Sequence, residues 1–435
     1  MSIHNEIRFE SEICSDLASS GWIYTPPIDG IISPDAGRYD RKHALFQEDL
    51  AAWIEESQPD TWKKLTGTHG TNTIAEVVRV LRDALDSHGT LHVLRNGFDM
   101  LGLRKPVEVA QFKPALGMNE TLQARYKANR LRVIRQVRYS FHNENEIDLV
   151  LFLNGIPIAT VEIKTDYTQA VEDAVYQYKK DRQPKVSVKN AIEPLLSFPA
   201  GALVHFALSN SEVQMTTKLA GMETVFLPFN QGNNGAAGNP PNPKGYATDY
   251  LWKTIWEKDS LLELLGRYLV PLKNEKKRLV GVVFPRFHQI RSTRRIVNAV
   301  LKEGAGNKYL IQHSAGSGKT HSIAWTANFL ADLHDAANAK VFDSVIVVSD
   351  RTVLDNQLQE ALDAHQRTRG VVAFIKGEAG SKSKELAQAL ATGKKIIICT
   401  LQTFPFALQE VKELAATKGK RFAVIADEAH SSQTN

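Results

Sequence analysis

The sequence has 435 residues, 43% of them hydrophobic and 23% charged, a balance that supports roughly two to four packed domains and excludes disordered or fibrous proteins. No apolar run reaches the ~18 residues of a membrane span, and the first ten residues hold no apolar stretch of a secretion signal, so no membrane association is expected and the chain is assigned to the cytoplasm. Cys14 and Cys399 are too few and too far apart for a disulfide framework or a zinc cluster, and a net charge of +5 is too small by itself to indicate a polyanionic partner.

Phe9, Ile13 and Leu17 are four apart and predict an amphipathic helix near the start. Between Arg125 and Arg138 lie six bases (Arg125, Lys127, Arg130, Arg132, Arg135 and Arg138) and no acid. Arg130, Arg132 and Arg138 alternate onto one strand face, which reads either as a track for a phosphate backbone or as a solvated edge strand.

Ile147 to Lys164 reads IDLVLFLNGIPIATVEIK, two apolar runs around Asn154-Gly155, a strong hairpin signal. Glu162 and Lys164 are two apart and share a face of the second strand, while Val161 and Ile163 point into the core. Whether Asp148 joins that face depends on the turn. A two-residue Asn-Gly loop sets Asp148 opposite Val161, on the wrong face. A three-residue loop with Gly155 as a left-handed bulge sets it opposite Thr160 and diagonal to Glu162, and the chemistry predicts that bulge. Asp followed by Glu-x-Lys after a hairpin is the PD-(D/E)xK nuclease arrangement. In it Asp148, Glu162 and the Ile163 carbonyl bind Mg²⁺, and Lys164 orients or deprotonates the attacking water. Gln177 on the following helix is a further catalytic candidate, as are Glu10 or Glu12 on the first helix.

Asn230 to Gly245 (NQGNNGAAGNPPNPKG) interrupts any regular element and marks a boundary. The first domain is therefore expected over 1–228. A linker and connecting helix follow over 229–275, where Leu251, Ile255, Leu261, Leu262, Leu265 and Leu269 recur with Trp252 and Trp256 at the spacing of a helix burying one broad face. The second domain is expected over 276–435. There, short β-branched runs at Tyr309–Gln312, Ser344–Val348, Lys395–Cys399 and Phe422–Ala426 alternate with helical stretches, which implies a parallel sheet with crossover helices.

His313 to Thr320 (HSAGSGKT) follows the first of these runs and opens an amphipathic helix, the context of a P-loop. Gly316, Ser317 and Gly318 bring backbone N–H groups to the phosphates of ATP, Lys319 reaches the β and γ oxygens, and the Thr320 hydroxyl ligates Mg²⁺ at the positive end of the helix. The strand Phe422–Ala426 ends in Asp427-Glu428-Ala429-His430, and a parallel sheet places its ligands at such strand tips. Asp427 is expected to hold the Mg²⁺ through water and Glu428 to polarise the water that attacks the γ-phosphate. Asp-Glu-Ala-His is also the signature of superfamily 2 helicases and translocases. Gln289, upstream in Phe284-Pro285-Arg286-Phe287-His288-Gln289, resembles the glutamine that reads the adenine edge in that group.

Taken together, these motifs resemble the restriction (R) subunit of type I restriction-modification enzymes: a PD-(D/E)xK hairpin, a Gln-bearing helix, then His-x-x-Gly-Ser-Gly-Lys-Thr and Asp-Glu-Ala-His-x-x-Gln. The similarity extends to Phe9–Glu12 before Gly21-Trp22, to Asn154–Pro157, to Pro240–Gly245 and to Ser431–Gln433. It implies an α/β chain in which a PD-(D/E)xK nuclease-like domain precedes a RecA-like parallel-sheet P-loop domain. The implied activity is ATP-dependent translocation and cleavage of double-stranded DNA, with DNA methyltransferase (modification) and specificity subunits as partners. The family's Gln-x-x-x-Tyr motif is altered, since Gln177 is followed at the fourth place by Asp181, with Tyr178 adjacent. Family subunits continue into a second motor domain carrying an arginine finger, so these 435 residues are expected to bind ATP but scarcely to turn it over. Two other classes share part of the pattern: a helicase-nuclease of DNA repair, and a non-catalytic module that binds ATP and DNA.

Overall fold

The computed structural model describes residues 2–114, 119–166, 170–186, 191–349, 361–362, 372–375, 381–400 and 419–427. They form two compact units that divide after Phe284. No helix among the described residues is long and apolar enough to cross a membrane.

The first unit opens with helix α1 (Ser2–Ser19), in which Phe9, Ile13 and Leu17 are buried. Its sheet runs β1 (Leu131–Arg138), β2 (Glu146–Leu153), β3 (Ile156–Ile163), β4 (Val204–Leu208), β5 (Val213–Thr216) and β6 (Leu227–Pro228) in spatial order. All neighbours are antiparallel except β3 and β4. That parallel pair needs a crossover connection, and helix α2 (Val171–Lys180) lies within it. Strand β3 is buried at every position, as a central strand covered on both faces must be.

At the hairpin tip Asn154 and Gly155 both have positive φ, 50° and 82°, the signature of a two-residue type I′ turn. Asn154 is fully buried and saturates its amide, accepting from Arg130 N and donating to the Val109 and Asn129 oxygens. Gly155 is required twice, because a Cβ there would also lie 2.2 Å from the Phe46 carbonyl oxygen. Gly155→Ala is therefore expected to destabilise the unit by about 3 kcal/mol or more, read as a lowered midpoint in denaturant unfolding.

The expected three-residue loop is not what forms. Leu153 faces Ile156 and Phe152 faces Pro157, as a two-residue turn dictates, but Leu151 then faces Ala159. The extra residue, Ile158, is a bulge one step beyond Pro157, whose missing N–H weakens the ladder there. Past the bulge Leu149 faces Val161, so the register brings Asp148 opposite Glu162.

The 229–275 stretch, expected as a linker with one connecting helix, packs into the first unit. Trp252 Nε1 donates to Asp16 Oδ2 at 2.8 Å, and Trp22 Nε1 to the Trp256 carbonyl at 3.0 Å. The helix is broken into three pieces, Leu251–Ile255, Lys258–Glu263 and Leu264–Tyr268, the first and last with wide π-type turns.

The second unit contains helices α3 (Phe287–Glu303) and α4 (Lys319–Ala331) and strand β7 (Ser344–Ser349). Strand β8 (Val372–Phe374), helix α5 (Lys382–Ala391) and strands β9 (Ile396–Thr400) and β10 (Phe422–Ala426) complete the described elements. The sheet is wholly parallel in the order β8-β9-β7-β10. Val345, Val347, Ile396 and Ile398 pack with α4 on one face, while Ile346, Val348, Ile397 and Cys399 pack with α5 on the other. The strand expected at Tyr309–Gln312 is not formed: the segment carries no ladder, and Leu310 is 85% exposed. A β-branched run becomes a strand only against a partner, and none of the described strands pairs with it.

Candidate active site

The register places a row of polar residues across one face of the first sheet. On β1, Gln136 lies between the paired residues Arg135 and Val137 with a left-handed φ of 48°. Opposite it on β2 is Asp148, and opposite that on β3 is Glu162. The charge of Asp148 acts directly on the Glu162 carboxyl. Asp148 Oδ2 also accepts from Ile163 N at 2.6 Å. Lys164, two residues beyond Glu162, faces the same hollow and reaches Glu6 of α1 at 3.5 Å.

Glu162 is fully buried and is held from α2. Arg182 Nε donates to its Oε1 at 2.6 Å. With the Gln177 amide oriented to satisfy both neighbours, Gln177 donates to Glu162 Oε2 at 3.1 Å and accepts from Arg182 Nη2 at 2.7 Å. Burial, then the charge of Asp148, pushes the Glu162 carboxyl well above the usual range, against the pull of Arg182 and Lys164. Burial likewise raises Asp148 against the pull of Lys164. Two opposed carboxylates in this state fit a divalent cation, which removes the repulsion between them. No three acidic, His or Cys side chains converge among the described residues, so such an ion would take two carboxylates and complete its shell from the Ile163 carbonyl, water and a substrate phosphate, the manner in which Mg²⁺ is usually held.

Helix α1 supplies the acidic neighbours that the sequence only suggested. Glu10 is buried, accepting from Arg135 at 2.9 Å and Gln136 at 2.9 Å, and burial with the charge of Asp148 pushes it up to about 7. Glu12 faces away, bonded to Arg8 and Tyr246. Tyr178, adjacent to Gln177, turns from the carboxylates to Thr160 at 2.8 Å, and Thr160 in turn meets His205 Nδ1 at 2.7 Å. Burial pushes His205 down to about 3, so it is neutral and the chain of three is scaffold. Tyr178→Phe is expected to lower stability by about 1 kcal/mol, seen as a shifted thermal midpoint with little effect on metal binding.

The basic stretch does not form a phosphate track. Arg132 is buried between Asp35 at 2.5 Å and Asp49 at 2.6 Å, over the Phe46 ring, and Arg130 shares Asp49. Arg135 is spent on Glu10, Arg125 on Glu108, and Arg138 on Glu144 and Glu146. All but Lys127 are thus engaged with acids that lie outside the stretch itself, which a count of bases within a window does not register.

In the second unit Gly316 and Gly318 have φ of 73° and 80°, and Gly318 caps α4, so Lys319 and Thr320 open the helix. A Cβ on Gly316 would meet nothing within 4 Å, leaving that approach open. Ser317 is buried with its hydroxyl unpartnered. Gln289 is buried on the loop itself: its Nε2 donates to the Gly318 carbonyl at 2.9 Å and the Ser317 carbonyl at 3.3 Å, and its Oε1 accepts from Arg286 N. It thus braces the 316–318 loop, with both ends of its amide engaged. His288 also meets the Ser317 carbonyl at 3.1 Å and stacks edge-on against His313. Asp427 follows β10 at the C-terminal end of the sheet, its N–H bonded to the Val348 carbonyl. Glu428, His430 and Ser431–Gln433 lie outside the described residues.

Against known proteins, a family model described as "Type I restriction enzyme R protein N terminus" matches residues 4–224, and one described as "SWI2/SNF2 ATPase" matches residues 288–435. The type I restriction enzyme SsaAORF53P endonuclease subunit of Staphylococcus saprophyticus is 23% identical over 318 residues, 70% of this chain and 29% of its own length. A Methanocaldococcus jannaschii protein named for the endonuclease subunit of the type I enzyme MjaIXP is 22% identical over 319 residues, again 70% of this chain and 29% of its own. A second from that organism, named for MjaVIIP, is 25% identical over 280 residues, covering 60% and 24%. The chain spans less than a third of the length of these relatives.

Proposed function

The chain belongs to the type I restriction enzyme R-protein N-terminal family, and from that premise we propose that it is the nuclease and first-motor portion of an R subunit. In this reading the first unit is a PD-(D/E)xK endonuclease that cuts double-stranded DNA. The second is a RecA-like superfamily 2 unit that binds Mg-ATP and drives translocation, assembled with DNA methyltransferase and specificity subunits. The observation that carries the reading is Asp148 opposite Glu162 across a buried hairpin, with Lys164 on the same face.

Asp148 and Glu162, with the Ile163 carbonyl, would hold a Mg²⁺ ion, whose chemistry is to lower the pKa of bound water and polarise the scissile phosphate. The protein's own part is positional. Asp148 is fixed by the Ile163 N–H. Lys164 is placed to orient the attacking water and to offset charge developing on the phosphate oxygens. In the second unit Lys319 would meet the β and γ phosphates, Thr320 and Asp427 the accompanying Mg²⁺, and Glu428 the hydrolytic water. The loop carbonyls are braced from below by Gln289 and His288.

Co-purification from the native host tests the reading. Recovery with methyltransferase and specificity subunits, and ATP-dependent cutting of unmethylated but not methylated plasmid, is the expected result. Cutting that ignores methylation and needs no such partners would favour a repair nuclease.

A further inference from the structure

Helix α2 ends in a turn that spends Gln177 twice. Its carbonyl accepts both Asp181 N at 2.8 Å and Arg182 N at 3.2 Å, so the chain curls back under the helix. Its side-chain amide then receives the Arg182 guanidinium. The turn is itself anchored, because the Asp181 carbonyl accepts from Asn145 Nδ2 at 3.4 Å and lies 3.5 Å from the Tyr139 hydroxyl. The result is a side chain 10% exposed that meets a fully buried carboxylate. Arg182 lies one position past the place where the family keeps its tyrosine, and nothing in the spacing of residues announces it.

We propose that Arg182 is a positioning residue of the nuclease site: with Gln177 it locks the Glu162 side chain in the one rotamer that faces Asp148. The inference rests on the nuclease reading and goes beyond it by naming what aims the carboxylate. A glutamate has three side-chain torsions, and a buried one with no fixed partners samples arrangements that do not bind a cation. Here Oε1 is held by Arg182 and Oε2 by Gln177, each bond leaving the oxygen a further lone pair toward Asp148. Groups that hold a metal-binding carboxylate in this way are typically worth about 10- to 100-fold in metal affinity.

Gln177→Leu separates this role from simple electrostatics, because it removes one of the two holding bonds and no charge. Deleting the charge of Arg182 relieves its repulsion of a bound cation but also lets the Glu162 carboxyl rise further toward its protonated form, so that variant is read beside the neutral one. The test is Mn²⁺ titration of the 435-residue protein without nucleotide, followed by electron paramagnetic resonance, on wild type, Glu162→Gln, Arg182→Met, Arg182→Lys and Gln177→Leu. Thermal melts on each variant monitor folding. Arg182→Met is expected to bind Mn²⁺ about 10-fold or more weakly, with Arg182→Lys recovering part of the loss because an amine still reaches Oε1. Gln177→Leu, which frees Oε2 without changing charge, should also weaken binding, and it decides the matter if Arg182→Met does not fold. Unchanged or tighter binding in Arg182→Met, or in Gln177→Leu where that variant decides, together with loss in Glu162→Gln, overturns the role of Arg182 alone. Equal affinity in wild type and Glu162→Gln overturns the nuclease reading beneath it.

Discussion

Lys319→Ala is expected to remove Mg-ATP binding. Lys319 is the first residue of α4, directly after Gly318 in its left-handed conformation, at the end of the helix where backbone N–H groups are free and the dipole is positive. A charge-assisted contact to phosphate contributes about 1.5–3 kcal/mol. Losing it, together with the phosphate geometry it enforces, should weaken binding by roughly 100-fold. The residue is only partly buried, so the fold should survive. Calorimetric titration with Mg-ATP reads the result directly, and comparable affinities in wild type and variant would remove the second unit's assignment as an ATP site.

Glu162→Gln should eliminate DNA cleavage by the assembled enzyme while ATP hydrolysis continues. The substitution keeps the side chain's size and leaves Arg182 an acceptor oxygen. Glu162→Ala would instead strand the guanidinium of Arg182 in a buried site at a cost of about 3–5 kcal/mol, and a dead enzyme could then simply be an unfolded one. With one carboxylate neutralised the pair no longer attracts a cation, and cutting should fall by at least about 100-fold, the scale of losing one element of transition-state electrostatics. The motor's candidate residues, Lys319, Thr320 and Asp427, belong to the other unit, which is why the two activities should separate. Agarose-gel cleavage beside a phosphate-release assay makes the comparison. A Glu162→Gln enzyme that still linearises plasmid would reduce the hairpin to scaffold.

What could be read from the sequence was whatever depends on neighbours along the chain. Asn154-Gly155 marked the hairpin tip though not the position of its bulge, the apolar runs on either side marked β2 and β3, and Gly316-Ser317-Gly318-Lys319 marked a loop before a helix, because each is decided within a few residues. What could not be read depends on residues far apart. Arg130 and Arg132 looked like part of a surface for phosphate because their acids, Asp49 and Asp35, lie 81 and 97 residues earlier. Arg182 reaches Glu162 only because a helix terminus curls, and Gln289 reaches the phosphate loop only because α3 packs against α4. Tyr309–Gln312 has the composition of a strand, yet pairing is a property of two segments and composition of one.

The bulge at Ile158 carries a consequence for counting. In an uninterrupted hairpin closed by a two-residue turn, residues that face each other are separated by an odd number of positions, since the chain must climb one strand and descend the other in step. Asp148 and Glu162 are separated by an even number, 14, and the ladder absorbs the mismatch by skipping one residue. The irregularity is therefore a parity correction. A single deletion between Phe152 and Ala159 that takes out the extra residue would let the ladder close without the bulge and leave Glu162 facing Asp148. A deletion that left the bulge in place would carry Glu162 and Lys164 together to the opposite side of the sheet, silencing the site without touching any of its members. A related chain whose Asp-to-Glu separation is odd should show a smooth ladder where this one swells.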